Sequence, residues 1–272
     1  MDVSLTISTP GSRFSPIVLQ GDYIEQIRIA KDLGFNYVEL HVRDPKKIDL
    51  SLLKKGLLET GIKVSTIGTG QAYVDEQIYF SSPDESIRRK AIERIKNQIR
   101  FAAELKAKVI IGTIKGPLPL EVEKVQTAKD YILKALIECV KFAKQFGTQL
   151  TLEAINRYES NYLNNAAETV ELIQEVDSPF LGLHLDTFHM NIEEISITKT
   201  LCKYSDYLAH LHLADSNRWA PGMGHMNFRS ILKTLQEINY QGFLGIECLP
   251  VPSPREAAVY SLKYITNMLK RM

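Results

Sequence analysis

Cysteine is scarce in this chain: Cys139, Cys202 and Cys248 are odd in number, far apart and without a Cys-x-x-Cys spacing. That leaves no disulfide framework to read, and the three thiols are expected to be buried as small hydrophobes. No stretch reaches the roughly 18 to 20 apolar residues that a membrane span needs. The start, Met1-Asp2-Val3-Ser4-Leu5-Thr6, lacks a basic leader region, so the expectation is a soluble, cytoplasmic protein with no membrane partner. An excess of one charge is also missing, with 33 Lys+Arg against 32 Asp+Glu and a formal charge of +1. Such a balance gives little long-range attraction for polyphosphate, so nucleic acid is not expected as a partner. With 44% apolar and 24% charged residues, disorder, collagen and coiled coil are excluded as the main architecture. A chain of 272 residues falls in the range where α/β barrels run as one domain, here 1–272.

What the sequence does have is alternation. Short β-branched runs recur at 3–8, 37–42, 63–68, 108–113, 149–154, 181–186, 207–213 and 243–248. Between them lie helical periods such as Ile87, Ile92, Ile95, Ile99, Ala102 and Leu105, which place an apolar stripe on one face. Ser82-Pro83-Asp84-Glu85 and Ser253-Pro254-Arg255-Glu256 each offer a hydroxyl cap, a proline at the first helical position and a Glu three residues on. Asn165-Ala166-Ala167-Glu168 offers the same box with Asn as the cap. Eight strand-helix units without a linker predict a parallel sheet closed into a (β/α)8 barrel. The alternative, an open doubly wound sheet, lacks its motif: Gly68-Thr69-Gly70 continues Gln71-Ala72-Tyr73 without a third glycine.

Side chains alternate along a strand, so one parity faces the barrel interior. Leu150 and Leu152 outward put Thr151 and Glu153 inward, and Leu183 and Leu185 outward put His184 and Asp186 inward. By the same parity His210 and His212, then Gly245 and Glu247, face in. Glu153, Asp186, His212 and Glu247 therefore fall at the C-terminal ends of consecutive strands, where barrel enzymes keep their chemistry. Three carboxylates and one imidazole gathered there would repel unless a cation neutralised them. Oxygen-rich ligation with one nitrogen suits Mn²⁺, Mg²⁺ or Co²⁺, and Zn²⁺ less well. The competing reading is four unrelated polar residues, each capping a loop.

These segments carry a resemblance. The run Leu152-Glu153-Ala154-Ile155-Asn156-Arg157-Tyr158-Glu159 is similar in order and spacing to the D-tagatose 3-epimerase group (which includes D-allulose and L-ribulose 3-epimerases) of the xylose isomerase-like TIM-barrel superfamily. So are Leu185-Asp186-Thr187-Phe188-His189, His210-Leu211-His212-Leu213-Ala214-Asp215-Ser216-Asn217-Arg218 and Gly245-Ile246-Glu247. The resemblance implies that Glu153, Asp186, His212 and Glu247 hold one Mn²⁺ or Co²⁺ per chain, and that Glu159, His189 and Arg218 contact a ketose. It also implies a homodimer or homotetramer. In the N-terminal half, the stretches around 8–14, Glu39, 68–70 and 113–116 would shape the sugar pocket.

The chemistry so implied is inversion at C3 of a ketose through a cis-enediolate. It needs one base on each face of the carbon, the roles of Glu153 and Glu247. Arg218 could otherwise be a solvated loop charge, and His189 a helix cap. His41, His184 and His210 are expected as hydrogen-bonded residues below or beside the metal. His225 is placed either on the pocket wall or behind a ligand. An aldose-ketose or hydroxypyruvate-type isomerase would share the metal and both glutamates. A sugar-phosphate 3-epimerase would need a cation such as Lys115, Arg13 or Arg43. The remote alternative is an apurinic-site endonuclease, whose additional histidines are missing from the ends of the third and fourth strands, Gly68-Thr69-Gly70 and Ile111-Gly112-Thr113.

Overall fold

A computed structural model describes residues 1–9 and 16–272. Its eight barrel strands are β1 Asp2–Ser8, β2 Tyr37–His41, β3 Lys63–Gly68, β4 Lys108–Ile111, β5 Leu150–Glu153, β6 Leu181–Asp186, β7 Leu208–Leu213 and β8 Phe243–Ile246. All pair in parallel with their sequence neighbours, and β1 also pairs with β8 from Asp2↔Phe243 to Leu5↔Ile246, which closes the barrel. The chain is thus a single (β/α)8 domain, as the alternation predicts, and the open-sheet alternative is excluded. A two-residue strand, Leu19–Gln20, extends the end of β1.

The wall between strands and helices is aliphatic: Leu5, Ile7, Val38, Leu40, Val109, Ile111, Leu150, Leu152, Leu183, Leu185, Leu211, Leu213, Leu244 and Ile246 are buried there. Burying each such side chain contributes about 1.5–3 kcal/mol, and together they dominate the driving force. The interior parity is different. Ser4, Thr6, Glu39, His41, Thr66, Thr151, His184 and His210 are all buried polar groups, where barrels of this kind ordinarily stack branched aliphatic side chains. Register brings them level, with Glu153 beside His184, Asp186 beside His212 and His212 beside Gly245. Register shifts opposite Val38/Glu39 and Leu183/His184 leave Ser65 on β3 and Ala209 on β7 as extra residues, just before Glu39 and His184 on the strands they pair with.

Helix ends follow local chemistry. Ser253 caps Pro254–Lys270 by accepting from the Glu256 N–H, and Asn165 caps Ala166–Val176 by accepting from the Glu168 N–H. At the third expected site the cap moves two residues on. Asp84, not Ser82, accepts the Ser86 N–H and opens Glu85–Leu105, while the Ser82 hydroxyl accepts from the Asp84 N–H. A carboxylate is the stronger acceptor at a helix N-terminus, and it wins. Cys139 and Cys248 are buried as expected, but Cys202 is exposed on the short helix Ile197–Lys203. Among the described residues, no helix is long and apolar enough to cross a membrane.

Candidate active site

At the C-terminal mouth the inward parity holds. Glu153, Asp186 and His212 bring one potential ligand atom each within 4.8 Å of one another. Glu247 joins them, its Oε2 lying 3.5 Å from His212 Nδ1. All four are buried. Missing side chains make this possible: a Cβ on Gly112 would stand 2.6 Å from Glu153 Oε2, and one on Gly245 would stand 2.7 Å from His212 Cδ2.

Asp186 is shared between two jobs. Its Oδ1 accepts the Phe188 N–H at 2.8 Å and starts the helix Thr187–Glu193. Its Oδ2 is buried with no hydrogen-bond partner among the described residues, and so is Nδ1 of His212. With Asp186 Oδ2 unpaired and His212 Nδ1 able to bind once its proton is displaced, these two atoms and the two further carboxylates form a donor set that a dication completes. The competing reading, four unrelated loop caps, does not account for atoms left unpaired toward one centre.

The residues assigned to the substrate converge on the same cup. Arg218 is buried, its Nη1 donating to Glu159 Oε1 at 2.6 Å and its Nη2 to Glu247 Oε2 at 3.2 Å, with Asp186 Oδ2 3.9 Å away. Its guanidinium carbon lies 4.7 Å from the centre of the Phe188 ring, so it is not a solvated loop charge. The backbone there is left-handed, at φ 61°. Asp215 holds the turn: its carboxylate accepts from the N–H groups of Ser216, Gly222 and Met226. His189 does not cap its helix. It sits inside Thr187–Glu193 with Nε2 3.9 Å from Glu153 Oε1 and 4.0 Å from Asp186 Oδ2. Glu159 is the exposed member of the set.

The sequence assigned no contacts to Asn156, and gave Glu39 only a place in shaping the pocket. Asn156, buried, accepts the Tyr158 N–H through Oδ1, which turns Nδ2 toward His189 Nδ1 at 2.7 Å and Glu159 Oε1 at 3.0 Å. His189 Nδ1 is therefore an acceptor, and its Nε2–H faces the cup. Glu39 on β2 is fully buried and meets three imidazoles: His41 Nε2 at 2.8 Å, His210 Nε2 at 2.9 Å and His212 Nε2 at 3.0 Å. Thr66 also donates to it. Inward parity on the second strand was the signal for Glu39. His41 and His210 are thus hydrogen-bonded beside the cup, as expected. His184 is not: neither ring nitrogen has a hydrogen-bond partner among the described residues, and the ring packs edge-on against His212 at 4.2 Å. His225 is exposed and does not line the cup.

The phosphate candidates are placed elsewhere. Lys115 is buried behind Glu153, with Nζ 3.4 Å from the Glu153 carbonyl oxygen. Arg43 is bound to Asp75 at 2.5 Å. Arg13, and residues 10–14 of the stretch expected to shape the pocket, lie outside the described residues.

Burial pushes the Glu153 carboxyl up to about 8, with the Glu247 charge adding to the effect. Burial also raises Asp186, to about 6, against the pull of Arg218. Glu247 goes the other way: His212 and Arg218 outweigh burial and hold it below the ordinary carboxylate value. Burial opposes a charged His212, yet Glu39 and Glu247 hold it well above the ordinary imidazole value. Burial, aided by Arg218, keeps His189 well below that value, neutral at pH 7. The two glutamates are therefore pushed apart, the pattern of an acid and a base sharing one site. Glu153, His189, His212 and Glu247 line one side of a small cavity of about 20 Å³, closed on the other by Gly68, Thr69, Gly112 and Thr113, with room for one water or ion.

Comparison with known proteins agrees with this fold. The family model described as xylose isomerase-like TIM barrel matches residues 27–268. The chain is 32% identical over 233 residues to a D-psicose 3-epimerase of Agrobacterium fabrum, covering 84% of this chain and 78% of that one. It is 27% identical over 253 residues to a 3-dehydro-D-guloside 4-epimerase of Escherichia coli, covering 89% and 92%. The crystal structure of a D-allulose 3-epimerase from Methylomonas sp. superposes with a TM-score of 0.79 at 25% identity, over 98% of each chain.

Proposed function

The chain belongs to the xylose isomerase-like TIM-barrel family, and from that premise we propose that it is an isomerase, a divalent-metal-dependent ketose 3-epimerase in which residues 1–272 act as one unit. The observation that carries the reading is the convergence of Glu153, Asp186, His212 and Glu247 on one buried cup, with Arg218 and His189 facing it. Glu153, Asp186, His212 and Glu247 would hold one Mn²⁺ per chain, or Co²⁺ or Mg²⁺ in its place. When bound, the ion acts as a Lewis acid that lowers the cost of negative charge on the substrate oxygens.

Glu153 and Glu247 arrive from strands separated by β6 and β7, so one can take the C3 proton while the other, protonated, supplies a replacement on the opposite face. In the metal-free cup their divided environments fit one proton shared by the pair. Neutral His189 presents Nε2–H, and Arg218 its guanidinium, where oxygen charge builds in the enediolate. Glu159 and Asn156 orient both donors. A sugar oxygen that takes the Arg218 donor displaces the bond from Nη2 to Glu247 Oε2. Binding therefore exchanges a protein ion pair for donors to the substrate.

The 4-epimerase relative supports a second reading, since it is matched over 92% of its length against 78% for the 3-epimerase. Proton removal at C4 beside a C3 carbonyl would use the same cup. The test is a panel of ketoses and 3-keto-glycosides incubated with Mn²⁺ in D₂O. Deuterium at C3 of a free ketose, lost on chelation and regained with Mn²⁺, is the expected result. Label at C4 of a keto-glycoside alone would replace the first reading with the second, and transfer between C1 and C2 would indicate an aldose-ketose isomerase.

A further inference from the structure

Glu39 has no part in the chemistry above, yet no carboxylate in the barrel interior is more completely enclosed: its side chain is 0% exposed and meets His41, His210, His212 and Thr66. A carboxylate flanked by three imidazoles is an acceptor, so the ring nitrogen facing it must be a donor. For His212 that nitrogen is Nε2, at 3.0 Å from Oε1 and 3.1 Å from Oε2. The remaining ring nitrogen, Nδ1, is buried without a hydrogen-bond partner among the described residues, and it is the one that faces Glu247 at 3.5 Å. We propose that Glu39 is a positioning residue: it takes the Nε2–H of His212, fixes the plane and tautomer of that ring, and so keeps Nδ1 presented to the metal. The inference rests on the metal reading given above.

The arrangement has a structural logic. β2 and β7 are not neighbours in the barrel, so the hydrogen bond spans the interior and ties the mouth of one wall to the other. The register shift opposite Val38/Glu39 leaves Ser65 of β3 as the extra residue and sets Glu39 across from Thr66, whose hydroxyl donates to its carboxylate. Partners of this kind behind a ligating imidazole typically govern 10–100-fold in metal affinity.

The test compares Mn²⁺ binding to the stripped wild type, Glu39→Gln and His210→Gln by calorimetry. Glu39→Gln is expected to weaken Mn²⁺ about 10–100-fold, while His210→Gln, which removes a different imidazole from the same carboxylate, leaves the affinity near that of the wild type. Unchanged affinity in Glu39→Gln, or an equal loss in both variants, overturns the proposal. A wild type that binds no Mn²⁺ would instead overturn the metal reading itself. Should Glu39→Gln fail to fold, ¹⁵N spectra of histidine rings in the Mg²⁺-loaded wild type decide the matter. The proposal requires His212 as the Nε2–H form with that proton protected from exchange, and an unprotected or Nδ1-bound proton contradicts it.

Discussion

Gly245 is next to His212 in the β7–β8 register, and the ring occupies the place where its side chain would be. Replacing it with alanine puts a Cβ 2.7 Å from His212 Cδ2, closer than any carbon contact tolerates, with the His210 ring at 3.3 Å behind. The imidazole must rotate or the strands must part, at a typical cost of about 1–3 kcal/mol. Gly245→Ala should therefore lower the urea midpoint and weaken Mn²⁺ binding together. Calorimetry and urea unfolding check it, and unchanged values for both would contradict the described packing. At this scale the sequence made the four cup residues legible, because strand parity and strand-end position are local patterns. It named Glu39 only as a residue shaping the pocket and not its three imidazole partners, since those contacts show only when β7 is seen across the barrel. Nor did it expose the burial of Arg218, which depends on Asp215 folding the 215–226 turn through three backbone N–H groups.

Among elements, the loop after β5 carries Asn156 and Glu159, and it is fastened to the helix Thr187–Glu193 by one charged pair. Arg157 donates to Glu193 from its backbone N–H at 2.6 Å, from Nε at 2.9 Å and from Nη2 at 2.7 Å. Hydrogen bonding from Arg157 holds the Glu193 carboxyl below its ordinary value. A carboxyl depressed in the folded state contributes stability above its unfolded pKa, about 4.3, and loses it as pH falls through the folded value. Arg157→Met should consequently lower the urea midpoint at pH 7, and the gap from the wild type should close as the pH is taken below 4. A gap that stays constant or widens on acidification would contradict the assignment. The strands themselves were legible to within about two residues, as were the caps at Ser253 and Asn165. The cap at Asp84 was not, because Ser82-Pro83 satisfies the same local rule and only the packed loop decides between the two acceptors.

For the molecule as a whole, the eight-fold alternation was enough to give a closed barrel, because parallel strands with one helix between them have few other ways to cover both faces. Strand parity placed Thr151, His184 and His210 inward; what the sequence left open is that Ser4, Thr6, Glu39, His41 and Thr66 continue that polar interior around the barrel. Histidines and acids line the space from Glu39 up to Glu247, and the aliphatic residues lie outside the strands, so the barrel is organised around its mouth. The central claim is that Glu153 and Glu247 are two proton carriers on opposite sides of one metal-holding cup. It is tested most directly by incubating wild type, Glu153→Gln and Glu247→Gln with Mn²⁺ and a substrate ketose in D₂O and reading deuterium at C3 by NMR. Both variants should keep the wild-type circular dichroism and lose C3 exchange by at least about 10²-fold; exchange at the wild-type rate in either would contradict the account.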